Sequence, residues 1–232
     1  MKNNIIILFG LIACLALPAS ADMGTDFRDH FNLKAFSSYN RDISSMIGMA
    51  DFHTARGVTF PGFDIGGGVA AIKTSDSNIS SKDYFMAPFL TAETQLPIFG
   101  LGVALRAITY DKFSSVGGGI KWHQNVALVR LSASLFYDRF GTDYYDGNHY
   151  SASASASTNV LIFTPYVGIG YDYGDMKTKH MGAYSGHNTT DGIVRYTAGV
   201  KAHPLPLLYV YGAYTYTKYN HGFQGGIGIN FN

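Results

Sequence analysis

Val129-Arg130-Leu131-Ser132-Ala133-Ser134-Leu135-Phe136-Tyr137-Asp138 alternates almost without a break. Val129, Leu131, Ala133, Leu135 and Tyr137 fall on one side, and Arg130, Ser132, Ser134, Phe136 and Asp138 on the other. Period two with one apolar side is the mark of a half-buried β-strand. The pattern recurs outward from this stretch. Ala152, Ala154 and Ala156 oppose Ser151, Ser153, Ser155 and Ser157. Val194, Tyr196, Ala198 and Val200 oppose Arg195, Thr197, Gly199 and Lys201. Phe223, Gly225, Ile227, Ile229 and Phe231 oppose Gln224, Gly226, Gly228 and Asn230. Ten segments read this way: 63–73, 85–96, 100–110, 115–123, 126–138, 150–158, 165–174, 193–203, 208–218 and 222–231. Their lengths suit tilted strands that cross a bilayer, which need about 9–11 residues.

Three features choose lipid over a soluble core for the apolar side. The polar side carries Asp64, Glu93, Arg106, Lys121, Arg130, Asp138, Asp172, Arg195 and Lys201, set among Gly, Ala and Ser. Small residues with charges of both signs suit a crowded, wet lumen. Aromatic residues gather at the segment ends: Phe63, Phe99, Trp122, Phe163, Tyr166, Tyr209 and Phe231 at one, Tyr84, Tyr110, Tyr137, Tyr150, Tyr173, Tyr216 and Phe223 at the other. Rings with a polar edge belong at both bilayer interfaces. Long connections at 74–84, 139–149 and 175–192 all follow odd-numbered segments, and the even-numbered connections are tight. An even strand count lets the last strand pair with the first, so no open edge faces lipid. The expected fold is all-β, a closed antiparallel transmembrane β-barrel of about ten strands.

Composition agrees. The 232 residues include 27 glycines and 17 tyrosines, and glutamate occurs only at Glu93. Tyrosine favours strands, and a chain so poor in Glu has little to build surface helices from. Residues 1–21 read as a cleaved signal peptide, with Lys2, an apolar Ile5 to Leu17 and a small-residue site at Ala19-Ser20-Ala21. Leu11-Ile12-Ala13-Cys14 offers a lipoprotein box as the rival reading. Removing the leader removes the only cysteine and leaves 16 basic against 16 acidic residues. Near-zero charge gives no reason to expect nucleic acid. The barrel is expected over 61–232. Residues 22–60 differ, with one short helix over Asp26 to Phe36 (Phe27, Phe31 and Lys34 on one face) and another over Arg41 to His53 (Ile43, Met46, Ile47 and Ala50 together). They form either a periplasmic extension or a plug. Inward glycines such as Gly68, Gly117 and Gly226 leave interior volume, and unfilled volume is costly, so the plug is the favoured occupant.

Phe223, Ile227, Ile229 and Phe231 resemble the C-terminal signal read by the barrel-assembly machinery, although Asn232 follows the aromatic. His53-Thr54-Ala55, Phe60-Pro61-Gly62-Phe63-Asp64, Thr164-Pro165-Tyr166-Val167-Gly168 and Thr197-Ala198-Gly199-Val200 resemble an uncharacterised bacterial outer-membrane barrel family. In that family a short helical N-terminus precedes a Pro-Gly-Phe-Asp strand start. The resemblance implies a fold and a Gram-negative outer-membrane location, not an activity.

The search for chemistry points away from catalysis. No His-Glu-x-x-His, Cys-x-x-Cys or Gly-x-x-x-x-Gly-Lys occurs, and no cofactor or metal is expected. His123 and His203 fall at strand ends and read as interfacial rather than as ligands. His149-Tyr150-Ser151 resembles the His-x-Ser pair of an outer-membrane lipid deacylase, but Ala152 stands where that family has Asn. Asp143, Asp146, Asp175, His180, His187 and Asp191 have the residue types of the outer-membrane proteases without their spacing. The leading expectation is a narrow channel or small-ligand-binding barrel. Phe89, Phe136, Tyr209 and Tyr211 point inward to touch a small or apolar ligand or the plug. The alternative is a structural or surface-interaction protein. Outer-membrane lipid and the barrel-assembly machinery are the expected partners.

Overall fold

The computed structural model describes residues 23–52, 58, 60–76, 80–81, 83–98 and 100–231. Ten antiparallel strands close on themselves: β1 (Phe63–Lys73), β2 (Tyr84–Gln95), β3 (Leu101–Tyr110), β4 (Phe113–Val126), β5 (Val129–Gly141), β6 (Tyr145–Thr158), β7 (Phe163–Thr178), β8 (Asn188–Ala202), β9 (Leu208–Thr217) and β10 (His221–Phe231). Each pairs with its sequence neighbours, and β1 pairs with β10 from Phe63 opposite Phe231 to Ile72 opposite Gly222. Each strand overlaps one of the ten segments read from alternation, with β2, β5 and β8 shifted along the chain by one to five residues at their ends. Closure leaves every strand with two partners, which is what a sheet without a wet edge requires.

Register sets the polarity. Ile65, Leu90, Leu105, Val116, Leu135 and Val167 point outward and are exposed, while Asp64, Glu93, Arg106, Asp138, Asp172 and Arg195 point inward and are buried. A one-residue slip would exchange the two sets, so the pattern pins the pairing. The interior wall also pairs across strands: Ser132 with Ser155 and Ser134 with Ser153 lie 2.6 Å apart, oxygen to oxygen.

Several expectations need correction. The connection 139–149 is no loop. β5 and β6 run on to Gly141 and from Tyr145, pairing Asp138 with His149 and Gly141 with Asp146. Likewise β7 runs on to Thr178 and β8 starts at Asn188, which takes up half of 175–192 and leaves 179–187 as a connection with a turn of 3-10 helix at Gly182–Tyr184. These residues are polar, but their backbones still pair, so the hairpins project past the apolar belt. Tyr166 and Tyr209, expected among the interfacial rings, are both buried in the interior, because period two from Phe163 and Leu208 turns them inward. Arg130 faces inward only at the rim, half-buried, with Nε donating to Asn125 Oδ1 at 2.8 Å. Phe99, Asn232, the leader 1–21 and the His53-Thr54-Ala55 stretch lie outside the described residues.

The N-terminal segment forms α1 (Met23–Asp29) and α2 (Phe36–Met49), followed by one turn of 3-10 helix at Ala50–Phe52. The first helix stops seven residues earlier than expected, at Asp29 rather than Phe36, and Lys34 is exposed in the turn. The second starts five residues earlier. The expected face of Ile43, Met46, Ile47 and Ala50 is buried. That face packs inside the barrel, where Ile43, Met46, Ile47 and Met49 share one apolar cluster with Ile72, Phe85, Ala87, Phe89 and Ile108 of β1 to β3.

Ring closure is directly testable. Ile65 and Ile229 stand opposite each other on the outer side. The pair Ile65→Cys and Ile229→Cys is expected to be joined by a short thiol cross-linker in the folded protein. Ile65→Cys with Ile229 intact is expected to give no such link. Failure of the double variant to close while it still migrates as a folded barrel would contradict the register.

Candidate functional site

The interior holds one closed circuit of charged side chains. Asp138 of β5 accepts from Arg106 of β3, Nε at 2.6 Å and Nη2 on its other oxygen. Arg106 Nη1 donates to Asp51, in the 3-10 turn that follows α2. The second oxygen of Asp51 accepts from Arg195 Nη2 of β8 and from Ser151 Oγ of β6 at 2.9 Å. Arg195 Nε donates to Asp172 of β7 at 2.6 Å. His149 of β6 closes the circuit, with Nε2 3.2 Å from Asp172 Oδ1 and Nδ1 2.9 Å from Asp138 Oδ2. These six side chains are all buried.

Donor counting explains the arrangement. An ionised carboxylate only accepts, so a ring placed between two of them satisfies both by donating from both nitrogens. With His149 as imidazolium, Arg106, Arg195 and His149 balance Asp51, Asp138 and Asp172. The wall alone would hold three cations against two anions, and Asp51 brings the missing charge from outside the sheet.

Gly48 lets the helix come close enough. A Cβ there would stand 2.1 Å from Asp172 Oδ1 and 2.8 Å from Arg195 Nε. Gly174 plays the same part on the wall, where a Cβ would meet Ser44 Oγ at 2.1 Å, and its carbonyl accepts from Asn40 Nδ2 at 2.8 Å.

The remaining predicted lumen charges form a second layer toward the strand ends where β1 begins and β10 finishes. Glu93 accepts from Lys121 Nζ at 2.9 Å and lies 2.9 Å from His123 Nε2. His123 therefore points into the lumen and is buried, not interfacial. Asp64 accepts from Tyr209 Oη at 2.7 Å and Asn230 Nδ2 at 3.0 Å, and Lys201 Nζ sits 3.6 Å from the centre of the Tyr209 ring. Of the four inward rings, Phe89, Tyr209 and Tyr211 belong to the same apolar cluster as Ile43, Met46 and Ile47 of α2. Phe136 stacks under the Arg106 guanidinium at 4.2 Å.

At the opposite mouth α1 and α2 are tied to the connections. Asp26 accepts from Ser80 Oγ and Ser81 Oγ, each at 2.6 Å. Burial pushes its carboxyl up, but these hydrogen bonds win and hold it below the usual range. Arg41 pairs with Asp191 at 2.8 Å and lies 3.9 Å over the Tyr219 ring. Asp42 is buried and accepts from Ser75 N at 2.8 Å, Ser75 Oγ at 2.9 Å and Asn220 Nδ2 at 2.5 Å. Burial pushes its carboxyl up to about 6.

His149 and Ser151 do share a face, as the deacylase resemblance requires. Yet both His149 nitrogens meet carboxylates, and the Ser151 hydroxyl donates to Asp51. The pair is not arranged as base and nucleophile.

A family of unknown function (DUF6588) has a model that matches residues 108–231, from β3 to the end of β10. No curated protein matches. Among solved structures, Ail, the attachment invasion locus protein of Yersinia pestis in complex with the heparin analogue sucrose octasulfate, is 14% identical, with 73% of this chain and 97% of that one covered and a TM-score of 0.39. The translocator domain of autotransporter NalP from Neisseria meningitidis is 11% identical, with 81% and 93% covered and a TM-score of 0.48. The N-terminal β-barrel domain of Pseudomonas aeruginosa OprF is 15% identical, with 72% and 97% covered and a TM-score of 0.39.

Asp51→Ala leaves Arg106 and Arg195 facing each other without their shared anion, and breaking a buried pair this way costs about 3–5 kcal/mol. The heat- or urea-induced loss of folded gel migration is expected to come earlier, and less so for Asp51→Asn; an unchanged midpoint for Asp51→Ala would contradict the circuit. Asp42 has a higher value folded than unfolded, so it holds its proton more tightly in the fold. Its contribution therefore improves as pH falls through about 6 and levels off near the ordinary carboxylate value of about 4. Protease resistance of the N-terminal segment is expected to rise from pH 7.5 to 5 by more in the wild type than in Asp42→Asn; equal slopes would refute the assignment.

Proposed function

We propose that this chain, which belongs to the DUF6588 family of unknown function, is an outer-membrane barrel acting as a narrow channel that its own N-terminal segment closes. The outer side chains support the membrane reading. A belt of exposed Ile, Leu and Val lies between rings that include Tyr137, Tyr150 and Tyr173 at one end and Phe63, Trp122 and Phe163 at the other. An apolar exterior around a charged interior is the reverse of a soluble protein, and lipid is the solvent that suits it.

The observation that carries the channel reading is the polarity of the seat. A core meant to stay dry is made more cheaply from apolar side chains than from buried ions. Here β1 to β3 give the plug an apolar seat, while β3 and β5 to β8 give it Arg106, Asp138, His149, Asp172 and Arg195. These wall charges could pair across the lumen or take water if the plug moved, so the wall remains a viable pore lining without it. Full burial of a side chain such as Ile43 or Ile47 contributes roughly 1.5–3 kcal/mol. The apolar seat and the ionic circuit therefore hold the segment together, and the circuit sets the depth of insertion.

The second reading is a structural or surface-interaction protein, favoured by how thoroughly the mouth ties α1 and α2 to the connections. Planar-bilayer recording separates the two. Wild-type protein is expected to be closed, and protein lacking residues 22–58, or carrying Gly48→Leu, is expected to conduct. Silence in all three, with folded migration intact, would leave the structural role.

A further inference from the structure

We propose that the barrel wall contains a carboxylate-binding site which Asp51 fills as a tethered stand-in, and that the solute of the channel is a small monocarboxylate that takes the place of Asp51. The solute half rests on the channel reading above; the site rests on the geometry of the wall. Its donors come from three strands. Arg106 of β3 donates Nη1 to one oxygen of Asp51. Arg195 of β8 donates Nη2 to the other, which also accepts from Ser151 Oγ of β6 at 2.9 Å. Donors on both oxygens of one planar group, two of them guanidinium, are a carboxylate-recognition pattern.

The wall itself positions these donors. Asp138 grips the Arg106 guanidinium through Nε and Nη2, and the Phe136 ring centre lies 4.2 Å from it. Asp138 in turn lies across Gly117, where a Cβ would overlap its carboxylate. Asp172 accepts from Arg195 Nε at 2.6 Å, and the Arg195 guanidinium lies across Gly170, where a Cβ would stand 2.8 Å from Cζ. His149 spans the two wall carboxylates at 2.9 and 3.2 Å. All these side chains belong to the strands, so the donors keep their partners when Asp51 leaves. Groups fixed before a ligand arrives lose little freedom on binding it.

Charge and shape choose the ligand. The wall of the circuit carries Arg106, Arg195 and His149 as imidazolium against Asp138 and Asp172. Without Asp51 it is short of a single negative charge. A monocarboxylate supplies that charge and has an oxygen for each guanidinium. A dianion such as sulfate overshoots the charge and brings further acceptors close to Asp138 and Asp172, which as carboxylates donate nothing. A tethered carboxylate competes at an effective concentration on the order of mM or higher. Binding of a free solute is therefore read most directly in variants that lack the Asp51 carboxylate.

Full-length Asp51→Ala removes that carboxylate and leaves a space of formate size. Heat-induced loss of folded gel migration is read in sodium formate, chloride and sulfate at one ionic strength, each midpoint taken relative to the wild type in the same salt. Formate is expected to raise the Asp51→Ala midpoint above its value in chloride or sulfate. It is expected to do nothing for Asp51→Asn, whose amide fills the space. If Asp51→Ala does not fold in chloride, refolding yield in each salt replaces the midpoint. No gain in formate over chloride would overturn the site, and an equal gain in sulfate would overturn the monocarboxylate assignment. The solute half is read in planar bilayers on the full chain carrying Gly48→Leu and Asp51→Ala. Acetate is expected to block its chloride current saturably, and the block is expected to vanish when Arg195→Gln is added. Current indifferent to acetate would overturn the solute half and leave the channel standing. Silent bilayers, with folded migration intact, would overturn the channel reading, and the formate result would still decide the site.

Discussion

Two guanidinium groups, Arg106 and Arg195, are held in the interior of a ring of strands, and one carboxylate that is not part of that ring stands between them. Closing the sheet obliges this. Once the apolar faces turn outward, the inward face must hold whatever polar groups alternate with them, and buried charge is tolerated only in pairs. Asp138 and Asp172 neutralise one side of each guanidinium, and His149 joins these two carboxylates. Asp51 completes the circuit, and with it the position of the whole N-terminal segment is set.

α2, which leads into the turn carrying Asp51, is amphipathic in a lumen that is itself amphipathic. Its apolar face meets Ile72, Phe85, Ala87 and Phe89, while Asn40 and Gly48 face the β7–β8 side. Rotation of the helix would bury Ile43 and Ile47 against charges and expose Asp51 to aliphatic groups. The two faces therefore specify the same orientation by different physics: one through area removed from water, the other through charge pairing. Small residues at Gly48 and Gly174 bring the surfaces to contact distance.

Much of this was legible in the residues. Alternation gave ten strands because a closed sheet with an apolar outer side and a crowded, charged lumen enforces period two along its length. The inward charges from Asp64 to Lys201 followed from the same parity. Parity alone does not separate a polar loop from a polar strand, so 139–149 and 175–192 read as loops; cross-strand hydrogen bonding, which side-chain character does not report, extends β5 to β8 into both. Tyr166 and Tyr209 misled because a ring at a strand end fits an interface as well as a lumen rim. Asp51 was missed, although a signal existed: the predicted lumen set held five basic and four acidic side chains, one anion short. Which acid would make up the difference depends on three-dimensional proximity between Asp51 and arginines 55 and 144 residues away, and that His149 would bridge the carboxylates of two neighbouring strands depends on the strand register.

Hydrogen–deuterium exchange on the intact protein in detergent micelles tests the central claim most directly, read on peptides that span α2 and the turn carrying Asp51. The account predicts that amides across residues 36–51 exchange as slowly as those of β7 and β8, with the slow class lost when Arg106 and Arg195 are both replaced by Gln while the strands stay protected. Rapid exchange across 36–51 in the unaltered protein, beside slowly exchanging strands, would contradict it.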